Sequence, residues 1–465
     1  MVFSSLTFLF VYFPIVLLVM KISPIKLRNF FLLLLSLIFY GWQEPVYIFI
    51  MIFSTVFDYF NGYMVYKYKD NRKVAFRFVL LSIIGNLLVL GFFKYFDFII
   101  YNLQNIGFTS LKPLYIALPV GISFYTFQTM SYPIDVYMNN ATLQKNVISF
   151  ATYVAMFPQL VAGPIVRYKD IASQLDSRIL SQDKFADGVF RFVIGLGKKV
   201  LFANMIGKVF DEILLLESNL TVALAWIGMI AYALQIYFDF SGYSDMAIGI
   251  GKMLGFDFLE NFNYPYISTS ITEFWRRWHI SLGNWFKDYV YIPLGGNRFG
   301  IVRQILNIMV VWFLTGLWHG AAYNFILWGL YFGFLLILEK LFLSHFLKHL
   351  PKIVQHIYAL FFILIGWAIF AIEDFGRMIF YLRSMFYLNK LPVINDLTIY
   401  YLRNNGVVFM ILLLASTPLF KFLYLKYIKN RKVEWIMPFA MLLVFLLATA
   451  SLVNASYNPF LYFRF

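Results

Sequence analysis

The chain has 465 residues, of which 61% are hydrophobic and 13% are charged, whereas an average soluble protein has about 25% charged residues. So few charges could not cover the surface of a soluble protein, and the composition excludes that class. The formal net charge is +15, but no basic hydrophilic domain accompanies it, so we expect no nucleic-acid partner. Cysteine is absent, which excludes disulfides, thiol nucleophiles and thiolate metal ligands.

The N-terminal part of the chain alternates apolar runs with short basic loops. The apolar runs are residues 6–20, 29–40, 46–64 and 78–93. Membrane-spanning helices need about 20 such residues, and Lys and Arg favour cytoplasmic loops. One basic loop follows residue 20 and another occupies residues 67–77, and both are predicted to be cytoplasmic. The N-terminus, on the other side of the first span, is therefore predicted to be extracytoplasmic. The first run is predicted to be a span and not a cleaved signal peptide, because no basic segment precedes it.

The middle of the chain is less regular. Residues 118–132 are apolar but include Pro119 and several polar side chains, and residues 157–164 form a short apolar stretch rich in Gly and Pro. Such backbone is tolerated at membrane depth only where it is buried in protein or lines a wet cavity. We therefore predict a re-entrant segment at residues 157–164. Residues 170–188, the longest hydrophilic stretch, are predicted to form a cytoplasmic loop.

The C-terminal part returns to simple spans. These are predicted at residues 355–372, 406–420 and 436–452. Residues 373–403 are mixed in charge and aromatic and are predicted to form a pair of surface-lying helices, whereas the basic residues 426–432 mark an inner loop. Together, the pattern predicts an all-α polytopic protein of the plasma membrane with roughly 10–12 membrane helices and both termini extracytoplasmic. A single domain is expected over residues 1–465.

His319 lies in an apolar run of residues 310–322. An ionisable residue inside a span is costly and is therefore a candidate for function. Gly316 and Gly320 stand four residues apart beside it and would allow the close approach of another backbone or a ligand. Its position alone leaves two interpretations open, a functional histidine and a core histidine hydrogen-bonded to a neighbouring helix.

His279 lies in an aromatic and basic segment, residues 274–282, together with Arg276 and Trp278. This composition is typical of an amphipathic helix at a membrane interface, and simple anchoring is the preferred interpretation for Arg276. The spacing does not decide whether His279 faces His319.

The other histidines give a weaker signal. His345 and His349 lie four residues apart, which would place both on one helical face, but the neighbouring Lys348 disfavours a bound cation. We therefore predict no metal site there, and His356 is expected to have a packing role.

Asp239 and Asp245 adjoin apolar runs. If they are buried in the membrane they need partners, because an unpaired charge is expensive there. A structural ion pair with Lys or Arg of a neighbouring helix and a place in the scaffold of an active site are equally favoured interpretations.

Taken together, several of these segments resemble the membrane-bound O-acyltransferases, in the bacterial branch associated with alginate O-acetylation. The matching segments are residues 118–128, 157–167, 235–245, 274–282, 288–296, 316–321 and 458–465. The resemblance implies a multi-helix ring with re-entrant segments, in which an outer funnel and an inner cavity nearly meet at a histidine. It also implies that His319 is the catalytic histidine and that His279 is the second signature histidine.

The candidate residues along the path of the substrate are Trp318, Asp245, Asp239, Arg276, Trp278 and Gln128. Thr315 and Lys287 depart from the Gly and Arg that are frequent in the family, and neither is expected to touch the histidines.

The resemblance implies an O-acyltransferase that passes an acyl group, expected to be acetyl, from a cytoplasmic donor to an extracellular or cell-wall polysaccharide. The expected donor is acetyl-CoA or an acyl carrier protein, with no bound cofactor. Transfer would be direct or through a secreted or membrane-anchored esterase-like acyltransferase. Neutral imidazole suits the removal of a hydroxyl proton near pH 7. An alternative mechanism, in which the acyl group is first transferred to the histidine, is equally compatible with the sequence.

The alternative function is a polysaccharide or small-molecule transporter or flippase without acyl-transfer chemistry. Broken helices around a polar site also suit a transporter, but no inverted repeat is visible in the sequence.

Overall fold

The computed structural model describes residues 1–160, 163–429, 434–454 and 461, and these residues form helices and connecting turns without a strand. Eight helices in this part of the chain are long and apolar enough to cross a membrane, and a shorter apolar helix occupies Phe8–Ile22. The eight are Ile48–Lys67, Arg72–Asn105, Val222–Met253, Gly300–His319, Tyr323–Leu347, Lys352–Ala371, Asp396–Ala415 and Ile436–Asn454. The prediction of an all-α polytopic protein is confirmed.

Contacts within the chain divide it into two compact units. The first contains Met1–Gly195 and Tyr243–Leu259, and the second contains Leu196–Gly242 and Glu260–Leu461. One long helix, Val222–Met253, contributes residues to both. The expectation of a single domain over residues 1–465 stays a prediction.

The first unit is built around one helix that is buried over all but its last residue. Its helices are α1 (Phe13–Ile22), α2 (Arg28–Gly41), α3 (Ile48–Lys67), α4 (Arg72–Asn105), α5 (Ile122–Tyr137), α6 (Val147–Ala155), α7 (Phe157–Leu160), α8 (Tyr168–Asp176) and most of α9 (Gln182–Gly197). Every residue of α5 from Ile122 to Val136 is buried. The polar side chains of the predicted segment 118–132 therefore face protein and not lipid.

A buried polar network joins α3, α4 and α5. The Ser82 hydroxyl donates to the Asp58 carboxylate at 2.5 Å, and the Asn86 amide donates to its other oxygen at 2.7 Å. The Thr129 hydroxyl donates to Asn86 at 3.3 Å. Since buried polar groups need partners, these contacts specify how the three helices pack.

Two predicted loops of this unit contain more helix than expected, and their cytoplasmic location stays a prediction. The basic loop at residues 67–77 is much shorter, because Asn71 accepts a hydrogen bond from the Val74 N–H and starts α4 at Arg72. The hydrophilic stretch 170–188 is largely helical. In α8, Ile171 and Leu175 lie on one buried face, so its many polar residues belong to the opposite face of an amphipathic helix and not to a loop.

The predicted re-entrant segment at residues 157–164 is a break in regular structure. A single helical turn, α7, is followed by irregular backbone from Gly163, and Phe157, Pro158, Gln159 and Leu160 are all buried. Residues 161 and 162 lie outside the described residues, as do most of the matched C-terminal segment 458–465 and residues 430–433 of the predicted inner loop.

The second unit contains the remaining helices. They are α10 (Asn204–Leu214), α11 (Val222–Met253, up to Gly242), α12 (Ile271–Arg277), α13 (Ile280–Phe286), α14 (Gly300–His319), α15 (Tyr323–Leu338), α16 (Ser344–Leu347), α17 (Lys352–Ala371), α18 (Phe375–Met385), α19 (Asp396–Ala415), α20 (Leu419–Leu423) and α21 (Ile436–Asn454).

The prediction of a pair of surface helices at residues 373–403 differs from the structure of this unit. Only α18 lies within that range. Asn395 accepts from the Thr398 N–H and begins α19, which then continues as one long apolar helix to Ala415. The capping residue therefore places the start of this span about ten residues earlier than hydropathy indicated.

Glycines bring α14 and α15 into close contact. The spacing of Gly316 and Gly320 predicted such a close approach of another backbone. A Cβ at Gly316 would lie 2.4 Å from the carbonyl oxygen of Phe325, and a Cβ at Gly329 would lie 2.3 Å from that of Trp312. The Cβ position of Gly329 is also 3.2 Å from Gly316. The two backbones meet here because neither residue has a side chain, and this contact lies one turn before His319.

We expect Gly329→Ala to lower the melting temperature, because α14 and α15 must move apart to admit the new methyl group. Overpacking of this kind typically costs about 1–3 kcal/mol. The measurement is thermal unfolding in detergent, compared with Gly406→Ala, where a Cβ would meet nothing within 4 Å. Equal melting temperatures for the two variants would contradict the close contact.

Candidate active site

His279 lies at a sharp break between α12 and α13. The helix α12 ends at Arg277, Trp278 is extended with φ −102° and ψ 130°, and His279 is left-handed with φ 45° and ψ 54°. A left-handed conformation is uncommon for a residue with a side chain and is often found at functional sites. The predicted continuous amphipathic helix over residues 274–282 is therefore wrong.

Asn261 holds this break in place. Its backbone carbonyl accepts from the Ile280 N–H at 3.0 Å. Its side-chain oxygen accepts from the backbone N–H and the hydroxyl of Ser281, at 3.2 and 2.9 Å. The same oxygen lies 3.2 Å from His279 Nδ1. Because Asn261 binds three consecutive residues at and directly after the break, it compensates for the strained conformation of His279.

The contact with Asn261 also selects a tautomer of His279. An amide oxygen can only accept, so Nδ1 carries the proton and Nε2 carries the lone pair. His279 lies outside the eight spanning helices, and burial lowers the pKa of its imidazole to about 3. The ring is therefore neutral at physiological pH and only weakly basic.

His319 is the last residue of α14 and is 4% exposed. Three aromatic rings surround its imidazole edge-on: Trp318 at 5.1 Å, Trp328 at 5.0 Å and Phe370 at 5.2 Å between centroids. The ring of Trp318 also lies 6.0 Å from that of His279. Trp318 thus stands beside both histidines, which the sequence could not show.

The two histidines line one cavity of about 190 Å³. Its walls come from α12, α13, the turn after α13, and α14. The lining residues are Trp275, Trp278, His279, Leu282, Gly283, Phe286, Lys287, Tyr291, Ile308, Val311, Trp312, Thr315 and His319. Most of this wall is aromatic or aliphatic, so a group bound here would meet a weakly polar surrounding in which the two imidazoles are prominent.

A buried carboxylate anchors the α12 wall of the cavity. Glu339, which follows α15, accepts from the Ile271 N–H at 2.6 Å and from the N–H and hydroxyl of Thr272 at 2.8 and 2.6 Å. A carboxylate at a helix N-terminus satisfies otherwise unpaired N–H groups and interacts favourably with the helix dipole. Glu339 thus links the chain after His319 to the helix before His279.

Of the other residues predicted to lie along the path of the substrate, most do not line this cavity. Trp278 lines the cavity, whereas the exposed Arg276 does not. Asp239 forms a buried ion pair with Lys199. Asp245 and Gln128 belong to the first unit, where Asp245 binds Arg191 at 2.8 Å and Gln128 is fully buried on α5. His356 donates to the Ser268 carbonyl, consistent with its expected packing role.

Sequence reasoning missed three residues of the site. Trp275 and the Asn261 support were not singled out, and Glu339 lies far from the matched segments in sequence. Thr315 and Lys287 line the same cavity as both histidines, and the expectation that neither touches the histidines stays a prediction. Trp275 lies in the matched segment 274–282, which was the signal that could have indicated it.

The chain matches a known protein family. The model of the membrane-bound O-acyltransferase (MBOAT) family matches residues 142–380, which include both cavity histidines. The chain belongs to the membrane-bound O-acyltransferase family.

Relatives agree with the family match. The protein named probable alginate O-acetylase AlgI from Pseudomonas syringae pv. tomato is 45% identical over 386 residues, covering 81% of this chain and 74% of the relative. The protein of the same name from Pseudomonas putida is 39% identical over 491 residues, covering 100% of both chains. The peptidoglycan O-acetyltransferase of Helicobacter pylori is 31% identical over 516 residues, covering 100% of this chain and 98% of the relative.

This MBOAT protein is therefore a multi-pass membrane O-acyltransferase, and its resemblance to the branch that acts in alginate O-acetylation is confirmed. The family match spans the whole of the cavity described above, from Trp275 to His319.

Proposed function

We propose that this O-acyltransferase transfers an acetyl group from a cytoplasmic thioester to a polysaccharide outside the plasma membrane, with His319 as the general base. The observation that carries the proposal is the single cavity shared by His319 and His279. The names of the relatives, which refer to alginate and peptidoglycan, support a polysaccharide acceptor. Acetyl-CoA or an acetylated carrier protein is the proposed donor.

The size of the cavity favours a short acyl group. At about 190 Å³ it is slightly larger than an engineered apolar cavity of about 150 Å³ that binds benzene in another protein. Pockets for drug-sized molecules have about 300–1,000 Å³. An acetyl group fits in the cavity of about 190 Å³ that contains the two histidines, whereas a long fatty chain does not.

The two imidazoles are suited to different roles. With a pKa of about 3, His279 is a poor base near pH 7, because a general base works best when its pKa lies near the working pH. In the proposed reaction His319 takes the proton of the attacking hydroxyl as the new C–O bond forms. The C–S bond of the donor then breaks, and the thiolate receives that proton. His279 is proposed to orient the reacting groups through Nε2.

The acceptor side of the reaction is proposed to lie outside the cell, with both termini of the chain extracytoplasmic. The acetyl group would reach the polysaccharide directly or through a secreted or membrane-anchored esterase-like acyltransferase. Exposure of the site to both aqueous phases would allow an acetyl group to cross without a complete transport cycle.

Right-side-out membrane vesicles loaded with radiolabelled acetyl-CoA test this function. Vesicles from cells that express the chain should place alkali-labile label on polysaccharide at the outer face, and vesicles from cells without it should not. Alkali lability is the property of an ester. Appearance of polysaccharide or free acetate outside without covalent label would favour the transporter alternative and overturn the proposal.

A further inference from the structure

The indole nitrogen of Trp275 is a buried donor without an acceptor. It has no hydrogen-bond partner among the described residues, although Trp275 lines the cavity that contains both histidines. A buried Trp N–H usually finds a partner, and leaving a buried donor unpaired costs about 1–3 kcal/mol. An unpaired donor in the wall of a cavity therefore points to a ligand with an acceptor atom.

The Trp275 ring is held firmly by its neighbours. It packs edge-on against Trp312 at 4.7 Å, Phe332 at 4.9 Å and Trp328 at 5.4 Å between centroids. Its helix, α12, is anchored at the N-terminus by Glu339. A donor that is fixed before the substrate arrives needs no reorganisation during the reaction, and that is the condition under which such donors are most effective.

The neighbours of Trp275 connect it with the reacting centre. Trp328, 5.4 Å from Trp275, lies 5.0 Å from the His319 imidazole. His279 follows Trp275 by four residues and lines the same cavity. A small acyl group inside a cavity of this size would lie near His319 and the Trp275 indole together.

We propose that Trp275 is a further catalytic residue, whose indole N–H donates a hydrogen bond to the carbonyl oxygen of the acyl group. This inference rests on the proposed function, because it needs an acyl thioester in the cavity. As the acceptor hydroxyl forms its bond to the carbonyl carbon, the π electrons move to the oxygen and His319 takes the hydroxyl proton. Trp275 stabilises this oxyanion until the C–S bond breaks and the thiolate leaves.

Trp275→Phe keeps an aromatic ring and removes the N–H group. We expect kcat for acetyl transfer from acetyl-CoA to fall about 10²–10³-fold, the usual effect of losing one oxyanion donor. The KM for acetyl-CoA should stay close to that of the wild type, because the charge develops only in the transition state. The matched control is Trp42→Phe, which makes the same change at an exposed tryptophan outside the cavity and should leave kcat unchanged.

A binding measurement separates this role from packing. A trifluoromethyl ketone analogue of acetyl-CoA adds water to give a tetrahedral hydrate, which resembles the addition intermediate, and Trp275→Phe should weaken its binding while leaving that of acetyl-CoA unchanged. A second measurement uses the wild-type protein, so it does not depend on the folding of the variant. The NMR signal of the ¹⁵N-labelled indole N–H of Trp275 should shift when the analogue binds.

Three results would overturn this inference. They are an unchanged kcat in Trp275→Phe, an equal loss of kcat in Trp42→Phe, and an indole signal that the analogue does not move. Each can occur while the wild-type protein still acetylates polysaccharide, in which case the proposed function stands and only the role of Trp275 fails. Absence of acetyl transfer by the wild type would instead reject the proposed function.

Discussion

His319→Ala is expected to abolish acetyl transfer while the protein still inserts into the membrane and accumulates normally. Positioned base catalysis contributes about 10²–10⁴-fold to rate, so the residual activity should be at or below the detection limit of a radiolabel assay. The His319 imidazole is 4% exposed and enclosed by aromatic rings. No neighbouring base replaces it, because His279 in the same cavity has a pKa of only about 3.

Two controls make this result specific. His345→Ala removes an exposed histidine outside the cavity and should leave transfer unchanged. The His319→Gln variant keeps a polar side chain of similar length but cannot act as a base, so it should be as inactive as His319→Ala. Full activity in either His319 variant would reject the assignment of this residue as the base.

The second large effect is expected on stability, from the buried ion pair between Asp239 and Lys199. The two charged atoms are 2.5 Å apart and each side chain is 2% exposed. The Leu461 N–H also donates to the Asp239 carboxylate at 2.9 Å. Asp239→Ala should lower the free energy of unfolding by about 3–5 kcal/mol, because it leaves the Lys199 charge buried without its counterion.

Denaturant or thermal unfolding in detergent measures this effect. The double variant Lys199→Met/Asp239→Leu should recover most of the loss, since a well-packed apolar pair often replaces a buried ion pair without cost. The control Glu217→Ala breaks an ion pair with Arg377 at 3.3 Å, in which the side chains are 71% and 49% exposed, and should cost about 0–1 kcal/mol. A loss in Asp239→Ala no larger than in Glu217→Ala would contradict the buried pair.

The Asp239 result also resolves the two interpretations that its sequence position left open. A structural role predicts that the double variant regains both stability and acetyl transfer. A role in the active-site scaffold predicts that stability returns while transfer does not. The structure places Asp239 beside Lys199 and not in the wall of the histidine cavity, which favours the structural role.

The site illustrates why local patterns misplace functional side chains. The segment 274–282 has the composition of an interfacial helix, yet the helix breaks at His279, which is left-handed and is held there by Asn261 together with the two residues that follow it. The break directs Trp275, Trp278 and His279 into one cavity. No helical periodicity predicts this, because the hydrogen bonds that stabilise the break come from a residue 18 positions away.

Hydropathy by itself determined that this chain is an all-α polytopic membrane protein, because only helices satisfy their own backbone in lipid over runs of this length. The matched segments, taken together along the chain, indicated the family, whereas the position of His319 alone was compatible with both function and packing. Tertiary structure alone decided that His279 and His319 share a cavity with Lys287 and Trp275. That arrangement depends on backbone contacts at Gly316 and Gly329 and on the Glu339 and Asn261 hydrogen bonds, which join residues distant in sequence and have no local signature.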